Sequence, residues 1–244
     1  MAYKVPLQLS VLPKYDWFFG AILLGFIFIS VFNLMAITTQ RNGLSAVSVA
    51  TKMSVAIPIL FGIFYYKESI NSIKGIGIIC ALIAVYLATV KPTKDTTTSK
   101  KLFLFPILVF VGSGIIDTSL KFLENSYVQE QEVPLFTATI FASAACIGVL
   151  IILFQLIKGT LKLAFKNVLA GIILGIPNYF SIYFLVKALR QPGFDSATIF
   201  TINNVAIVTV STLLGILLFK ERLFIKNWLG IIIAIISIIL VSLS

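Results

Sequence analysis

The chain has 244 residues, of which 59% are hydrophobic and only 11% are charged. A soluble domain of this length cannot bury so much apolar surface, so we expect lipid to surround most of the protein. The net charge of +10 does not indicate nucleic-acid binding, because almost all of it falls in short loops, where basic residues set membrane orientation.

Eight apolar stretches are long enough to cross a membrane. Runs of about 20 apolar residues span the hydrocarbon core as helices, because a helix satisfies its own backbone hydrogen bonds. The predicted spans lie near residues 17–38, 46–66, 72–90, 102–122, 135–157, 167–189, 196–219 and 225–243. We therefore predict an all-α, multi-pass membrane protein, located in a bacterial cytoplasmic membrane.

One polar linker divides the predicted helices into unequal groups. Residues 91–101 read KPTKDTTTSKK and separate three helices in residues 1–90 from five in residues 102–244. The remaining loops are short, so we expect neighbouring helices to run antiparallel. The prediction is a 3+5 arrangement of two halves.

The two halves share a repeated pattern of glycines and a Lys-Glu pair. At a spacing of 150 residues the matched positions are Gly25–Gly175 and Gly43–Gly193, and at 153 they are Gly62–Gly215, Lys67-Glu68–Lys220-Glu221 and Gly77–Gly230. Five predicted crossings separate matched helices, and five is odd, so these helices run in opposite directions. An inverted repeat of this kind is typical of secondary transporters. We interpret the Lys-Glu pairs mainly as interface markers and end caps of helices.

Two segments resemble the EamA-like branch of the drug/metabolite transporter superfamily. They read GIFYYKESINSIKGIGIICALIAVYLA at 62–88 and GILLFKERLFIKNWLGIIIAIISIILV at 215–241. The resemblance covers nearly the whole chain, but its motif is degenerate and identifies no substrate. It implies ten helices in two five-helix repeats around a central cavity. Counterparts of the first two helices are missing, which favours a fragment of a longer protein over a true eight-helix variant.

Two charged residues lie well inside predicted spans, away from the span ends. Lys52 is about six residues inside the second span, where an unpaired ammonium costs roughly 2.5–3.5 kcal/mol near a helix centre. It could bind an anionic or carbonyl-bearing solute, or its long stem could reach the headgroups. Asp117, in the fourth span, is the natural site for a coupled proton. Its alternatives are a structural ion pair with Lys121, four residues further on, or an interhelical pair with Lys52.

Uncharged polar residues complete the predicted substrate-binding site. Asn203 and Asn204 adjoin Val205, which the spacing of 153 matches to Lys52, and this predicts a shared polar cavity. The alternative is an interhelical hydrogen bond that only stabilises the bundle. Proline permits a kink in the sixth span, and Pro58 supplies a second flexible point in the second span. The side chains expected beside the sixth-span kink, as a cavity wall or as simple packing, are Asn178, Tyr179 and Tyr183.

The pattern as a whole favours a secondary transporter that moves a small organic metabolite or drug by alternating access. The sequence contains no GxxxxGK[ST] loop for ATP and no histidine, and we can assemble no catalytic constellation, so an enzyme is disfavoured. The alternative is a truncated or inactive membrane subunit without transport activity of its own. We predict no cofactor and no metal; the expected partners are membrane lipid and a small-molecule solute, with homo-oligomerisation left open.

Overall fold

A computed structural model describes residues 12–42, 44–68, 70–89, 104–160, 164–219 and 225–242. The regular structure in these ranges is helical. The α-helices are α1 (Phe18–Asn42), α2 (Leu44–Met53), α3 (Ala56–Tyr65), α4 (Ser72–Thr89), α5 (Leu104–Tyr127), α6 (Val133–Ile157), α7 (Phe165–Ala188), α8 (Ser196–Phe219) and α9 (Ile225–Ser242). Short 3-10 helices cover Leu12–Lys14 and Glu130–Glu132. The predicted linker at 91–101, Gly43 and the second Lys-Glu pair lie outside the described residues.

In the described part of the chain, four helices are long and apolar enough to cross a membrane: α1, α5, α6 and α7. Large apolar side chains on them are exposed, such as Leu150 at 65% and Ile173 at 60%. Apolar surface of this extent is stable only beside an apolar solvent. These are the features expected of a helical membrane protein. The remaining apolar helices contain shorter apolar stretches of 10–17 residues, so the full set of eight spans stays a prediction.

The predicted second span, 46–66, is two helices instead of one. Helix α2 ends at Met53 and α3 begins at Ala56, which leaves Ser54 and Val55 outside both. Pro58 explains the break, because it has no amide hydrogen to donate to the Ser54 carbonyl four residues earlier. The Ile57 amide donates to that carbonyl instead, at 2.9 Å. The span predicted here is therefore divided into two helices, and the interruption lies one turn before the expected flexible point.

The helices group into two compact units. Unit 1 comprises the described parts of Met1–Phe32 and Ser119–Gln191, and unit 2 those of Asn33–Thr118 and Pro192–Ser244. Each unit thus combines segments from both sides of the predicted linker. The two segments of each unit are far apart in the sequence, so only tertiary contacts bring them together.

In unit 2 the most extensive helix packing joins α4 to α9. The buried positions on the two helices correspond at the spacing of 153 and are Gly77–Gly230, Ile78–Ile231, Ala81–Ala234 and Ala84–Ser237. Most of these residues are small, which lets the two backbones approach closely in the absence of water. The Ser237 hydroxyl donates to the Gly77 carbonyl at 2.8 Å across this contact. The spacing that matches the two sequences therefore also matches their buried faces.

Unit 1 is organised around the starts of α1 and α6. Trp17, which is fully buried, donates from its indole nitrogen to the Glu132 carboxylate at 2.9 Å. Further along α1, a Cβ on Gly25 would lie 2.7 Å from Ser143 Cβ on α6, so glycine is needed for this close approach. Its sequence counterpart Gly175 has no such neighbour within 4 Å among the described residues. Close packing therefore explains Gly25 but not Gly175.

We expect Ala84→Leu to destabilise the protein, because Ala84 is fully buried between α4 and α9. Overpacking a filled contact typically costs about 1–3 kcal/mol. The matched control is Ala142→Leu, at an exposed position of α6, which should change stability by less than about 0.5 kcal/mol. Unfolding of both variants in detergent micelles measures the difference, and equal effects would contradict the α4–α9 contact.

Candidate functional site

The structure distributes the predicted site residues over both units. Lys52, Asp117 and the two asparagines Asn203 and Asn204 belong to unit 2. The other residues predicted for the site, which belong to unit 1, are Asn178, Tyr179 and Tyr183.

The break between α2 and α3 lies against helix α5. On one side of the break, Ala50 of α2 is in a buried cluster with Val109 of α5. On the other side, Ile57 of α3 contacts α5 at Gly114, where an added Cβ would lie 2.7 Å from Ile57 Cβ. Glycine at position 114 therefore allows the contact. These two contacts hold the end of α2 beside the middle of α5.

Lys52 and Asp117 are brought within electrostatic range of each other by this packing. Lys52 is in the last turn of α2, Asp117 is on α5, and both are half-buried. Their charges interact, but neither belongs to an ion pair shorter than 4.0 Å among the described residues. The Lys121 ammonium lies 3.3 Å from the Glu124 carboxylate instead. The packing thus places the end of α2, with Lys52, beside the helix that carries Asp117, and the role of the two residues stays a prediction.

Ser113 adds a hydroxyl to this group that the sequence analysis missed. It lies one turn before Asp117 on α5, is only 6% exposed, and has no hydrogen-bond partner among the described residues. Leaving a buried hydroxyl unpaired costs about 1–3 kcal/mol. The neighbouring Thr118 hydroxyl, by contrast, donates to the Gly114 carbonyl at 2.7 Å. The spacing of four residues to Asp117 was the only available sequence signal.

Asn204 and its neighbours occupy a different environment in unit 2. The Asn204 side-chain amide is buried and donates to the Phe200 carbonyl of its own helix at 3.1 Å. Val205, the sequence counterpart of Lys52, is fully buried in a cluster with Ala81, Ala84 and Ala234. Asn203 is half-buried. The amide of Asn204 is therefore satisfied within α8, and a cavity shared with Lys52 stays a prediction.

Aromatic residues follow one face of α7 in unit 1. The rings of Tyr179 and Tyr183 are stacked, with centroids 6.2 Å apart, and the Tyr179 hydroxyl donates to the Pro134 carbonyl at 3.3 Å. Asn178 is half-buried beside Pro177, and α7 continues through that proline without interruption. The Tyr179 hydroxyl therefore joins α7 to the start of α6, and a role of this face in binding the solute stays a prediction.

The first Lys-Glu pair caps the N-terminus of α8. The Glu68 carboxylate accepts hydrogen bonds from the amides of Ser196 at 3.1 Å and Ala197 at 3.2 Å, and from the Ser196 hydroxyl. Lys67 has a left-handed φ of 55°, which turns the chain at the end of α3. A Cβ on Gly62 would lie 2.7 Å from Glu68 Oε2. The glycine thus leaves room for a carboxylate that satisfies amides at a helix start.

Asp195 completes this cap from within its own segment. Its carboxylate accepts from the Thr198 amide at 2.9 Å and pairs with the Lys74 ammonium of α4. Burial alone would raise the pKa of the Asp195 carboxyl, but hydrogen bonds from Lys74 and Thr198 outweigh burial and hold that pKa below its ordinary value of 3.8. The start of α8 is therefore joined both to the loop after α3 and to the first turn of α4.

The charged site offers hydrogen-bonding and ionisable groups. Lys52 contributes hydrogen-bond donors, Ser113 a hydroxyl, and Asp117 either an acceptor or a proton carrier. No group of three cysteine, aspartate or glutamate side chains that could hold a metal ion occurs among the described residues. Cys80 and Cys146 are free thiols.

Comparison with known proteins places the chain in a family. A Haemophilus influenzae protein described as uncharacterized is 31% identical over 219 residues, which are 88% of this chain and 72% of that protein. The chain belongs to the family of this protein. A solved crystal structure shares the fold, with a TM-score of 0.69 and 13% identity over 88% of this chain and 74% of that chain. No family model matches the sequence.

Neutralising both members of the Lys52–Asp117 pair should destabilise the protein by less than the sum of the two single neutralisations. Lys52→Met or Asp117→Asn leaves one charge without its partner in a poorly screened environment, which we expect to cost about 1–3 kcal/mol. The double variant should recover about 0.5–3 kcal/mol of the summed losses. Unfolding of all four proteins in mixed micelles measures this coupling. The control is the same cycle at two exposed positions, with Lys158→Met and Glu130→Gln. Strictly additive losses at Lys52 and Asp117 would refute the interaction.

The Lys74–Asp195 pair should stabilise the protein in a pH-dependent way. A carboxyl whose pKa is depressed on folding stabilises the folded state above its unfolded pKa, and this stabilisation is lost as the pH falls through the folded value. Asp195→Asn keeps a capping side chain but removes the charge, so we expect a loss of about 1 kcal/mol at pH 7.

The stability difference between wild type and Asp195→Asn should shrink as the pH falls below 3.8. Thermal unfolding of wild type and Asp195→Asn across that range measures it, with Asp16→Asn, at an exposed position, as the control. A difference between wild type and Asp195→Asn that stays constant below pH 3.8 would show that the carboxylate charge contributes nothing to folding.

Proposed function

We propose that this protein is a secondary transporter of the EamA-like branch of the drug/metabolite transporter superfamily. It moves a small organic metabolite or drug across a bacterial cytoplasmic membrane by alternating access. The observation that carries the proposal is the Lys52–Asp117 pair beside the broken helix of unit 2. Its working partners are the solute and the surrounding lipid.

The energetic cost of that pair supports a role in binding. Ionisable side chains inside membrane helices are rare because hydrocarbon solvates charge poorly, and they mark ion or substrate pathways when they occur. Transporters typically form their binding sites at discontinuous helices, where the interrupted backbone frees polar groups. Lys52 immediately precedes such an interruption. We assign Lys52 to the solute and Asp117 to a coupled proton.

The packing of unit 2 supports a mechanism based on an inverted repeat of eight spans. Helix α3 packs against α8, and α4 against α9, and the spacing of 153 residues matches the helices within each pair. In the proposed repeat these contacts form the seam between the two halves. One half rocks against the other along such a seam during alternating access. Glu68 then joins the first half to the start of α8 in the second half.

The proposal is tested by reconstituting the purified chain in liposomes with an imposed proton gradient. Uptake of a panel of organic acids, amino acids, sugars, nucleosides and cationic drugs is measured by filtration or by solid-supported membrane currents. We expect Lys52→Gln and Asp117→Asn each to lower the transport rate roughly tenfold or more. Each substitution removes a charged contact of about 1.5–3 kcal/mol.

The controls remove a charge from an exposed position, as in Lys158→Gln and Glu130→Gln. Their transport rates should lie within about twofold of the wild-type rate, because the loss of an exposed charge changes the stability of the fold little. If folded, monodisperse wild-type protein moves no solute of the panel, the proposal fails and the chain is a membrane subunit without transport activity of its own.

A further inference from the structure

We propose that the site around Lys52 takes a monovalent organic anion together with one proton. Lys52 and Ser113 hold the anion, and Asp117 carries the proton. This inference rests on the proposed function and names the cargo and the coupling of that transporter. It predicts that each transport step is electrically neutral.

The first argument is the inventory of hydrogen-bond donors. The Ser113 hydroxyl is buried without a partner among the described residues, and the Lys52 ammonium makes no hydrogen bond with them. The buried cluster that contains Ala50 and Val109, and the contact of Ile57 with Gly114, place the helices that carry these donors side by side. Donors that the protein leaves unmatched select an acceptor from the solute, and an anionic oxygen is the strongest acceptor for an ammonium.

The second argument is the charge balance of the site. With Lys52 and Asp117 both ionised, the pair carries no net charge. An anion bound at Lys52 and Ser113 would stand beside the Asp117 carboxylate, and two like charges at one poorly solvated site cannot both persist. A proton on Asp117 removes the repulsion and restores a net charge of zero. The protonated carboxyl can also donate a hydrogen bond to the bound anion.

The surroundings of Asp117 contain little else that could neutralise the added charge. Among the described residues, Lys52 is the charged group that acts on Asp117. The neighbouring hydroxyls on α5 are those of Ser113 and Thr118, and Thr118 already donates to the Gly114 carbonyl. The proton is therefore the available counter-charge. A zwitterionic cargo would need no proton, and a cationic cargo would be repelled by the Lys52 ammonium. The number of protons that move with each solute therefore tests the assignment of an anion.

The first experiment measures binding with three probes of equal carbon number: lactate as the anion, alanine as the zwitterion and 1-amino-2-propanol as the cation. We expect lactate at millimolar concentration to raise the melting temperature of the purified chain, and to do so more at pH 5.5 than at pH 7.5. Lys52→Gln should weaken lactate binding roughly tenfold and Ser113→Ala about fivefold, while Ser30→Ala, which alters an exposed serine of α1, should leave it unchanged. Stabilisation by alanine or the amine in place of lactate, or by none of the three, overturns the assignment.

The second experiment measures coupling in liposomes that contain the pH dye pyranine. Lactate uptake by wild type should acidify the interior, and a potassium diffusion potential set with valinomycin should not alter the rate. Asp117→Asn should either abolish uptake or leave uptake that depends on the potential and moves no proton. Wild-type uptake that depends on the potential overturns the inference while leaving transport itself intact. Failure of every solute in the wider panel would instead overturn the proposed function.

Discussion

Most of this protein has to satisfy its polar groups in a solvent that offers no hydrogen bonds. Helices meet this constraint for the backbone. Hydroxyls on them return to carbonyls of their own helix, as Thr38 does to Leu34 at 2.6 Å and Thr201 to Ala197 at 2.7 Å. Against that background, Ser113 and the Lys52–Asp117 pair are exceptions. A buried polar group without a partner needs an explanation, and a function in binding is one such explanation.

The repeated glycine and Lys-Glu motif has a physical explanation in its first copy. Gly62 leaves space for the Glu68 carboxylate, the left-handed Lys67 turns the chain, and Glu68 satisfies amides at the start of α8. The first Lys-Glu pair is thus a long-range helix cap. The sequence analysis expected an end cap, but a cap on a helix 128 residues away could not be inferred from local spacing.

Much of the helical architecture was predictable because apolar runs and their polar boundaries are local features. The predicted spans coincide with helices to within a few residues, except over 46–66, where Pro58 divides one span into α2 and α3. The spacing of 153 residues that pairs Gly77 with Gly230 in the sequence also pairs the buried residues Ala81 and Ala234 of α4 and α9. The placement of Lys52 and Asp117 inside apolar segments needed only the sequence.

Which partners those groups acquire was decided by tertiary structure. Asp117 could have paired with Lys121 by helical spacing, but Lys121 lies beside Glu124, and Asp117 is acted on by Lys52 across two helices. The only sequence signal for Ser113 was its spacing of four residues from Asp117, and this signal is weak because a serine in an apolar helix usually bonds to its own backbone. The sequence by itself determined where the chain is helical and apolar, since both properties depend on neighbouring residues. Only the tertiary structure decided which polar groups meet, because such meetings depend on the close approach that Gly114 and Ile57 allow between distant segments.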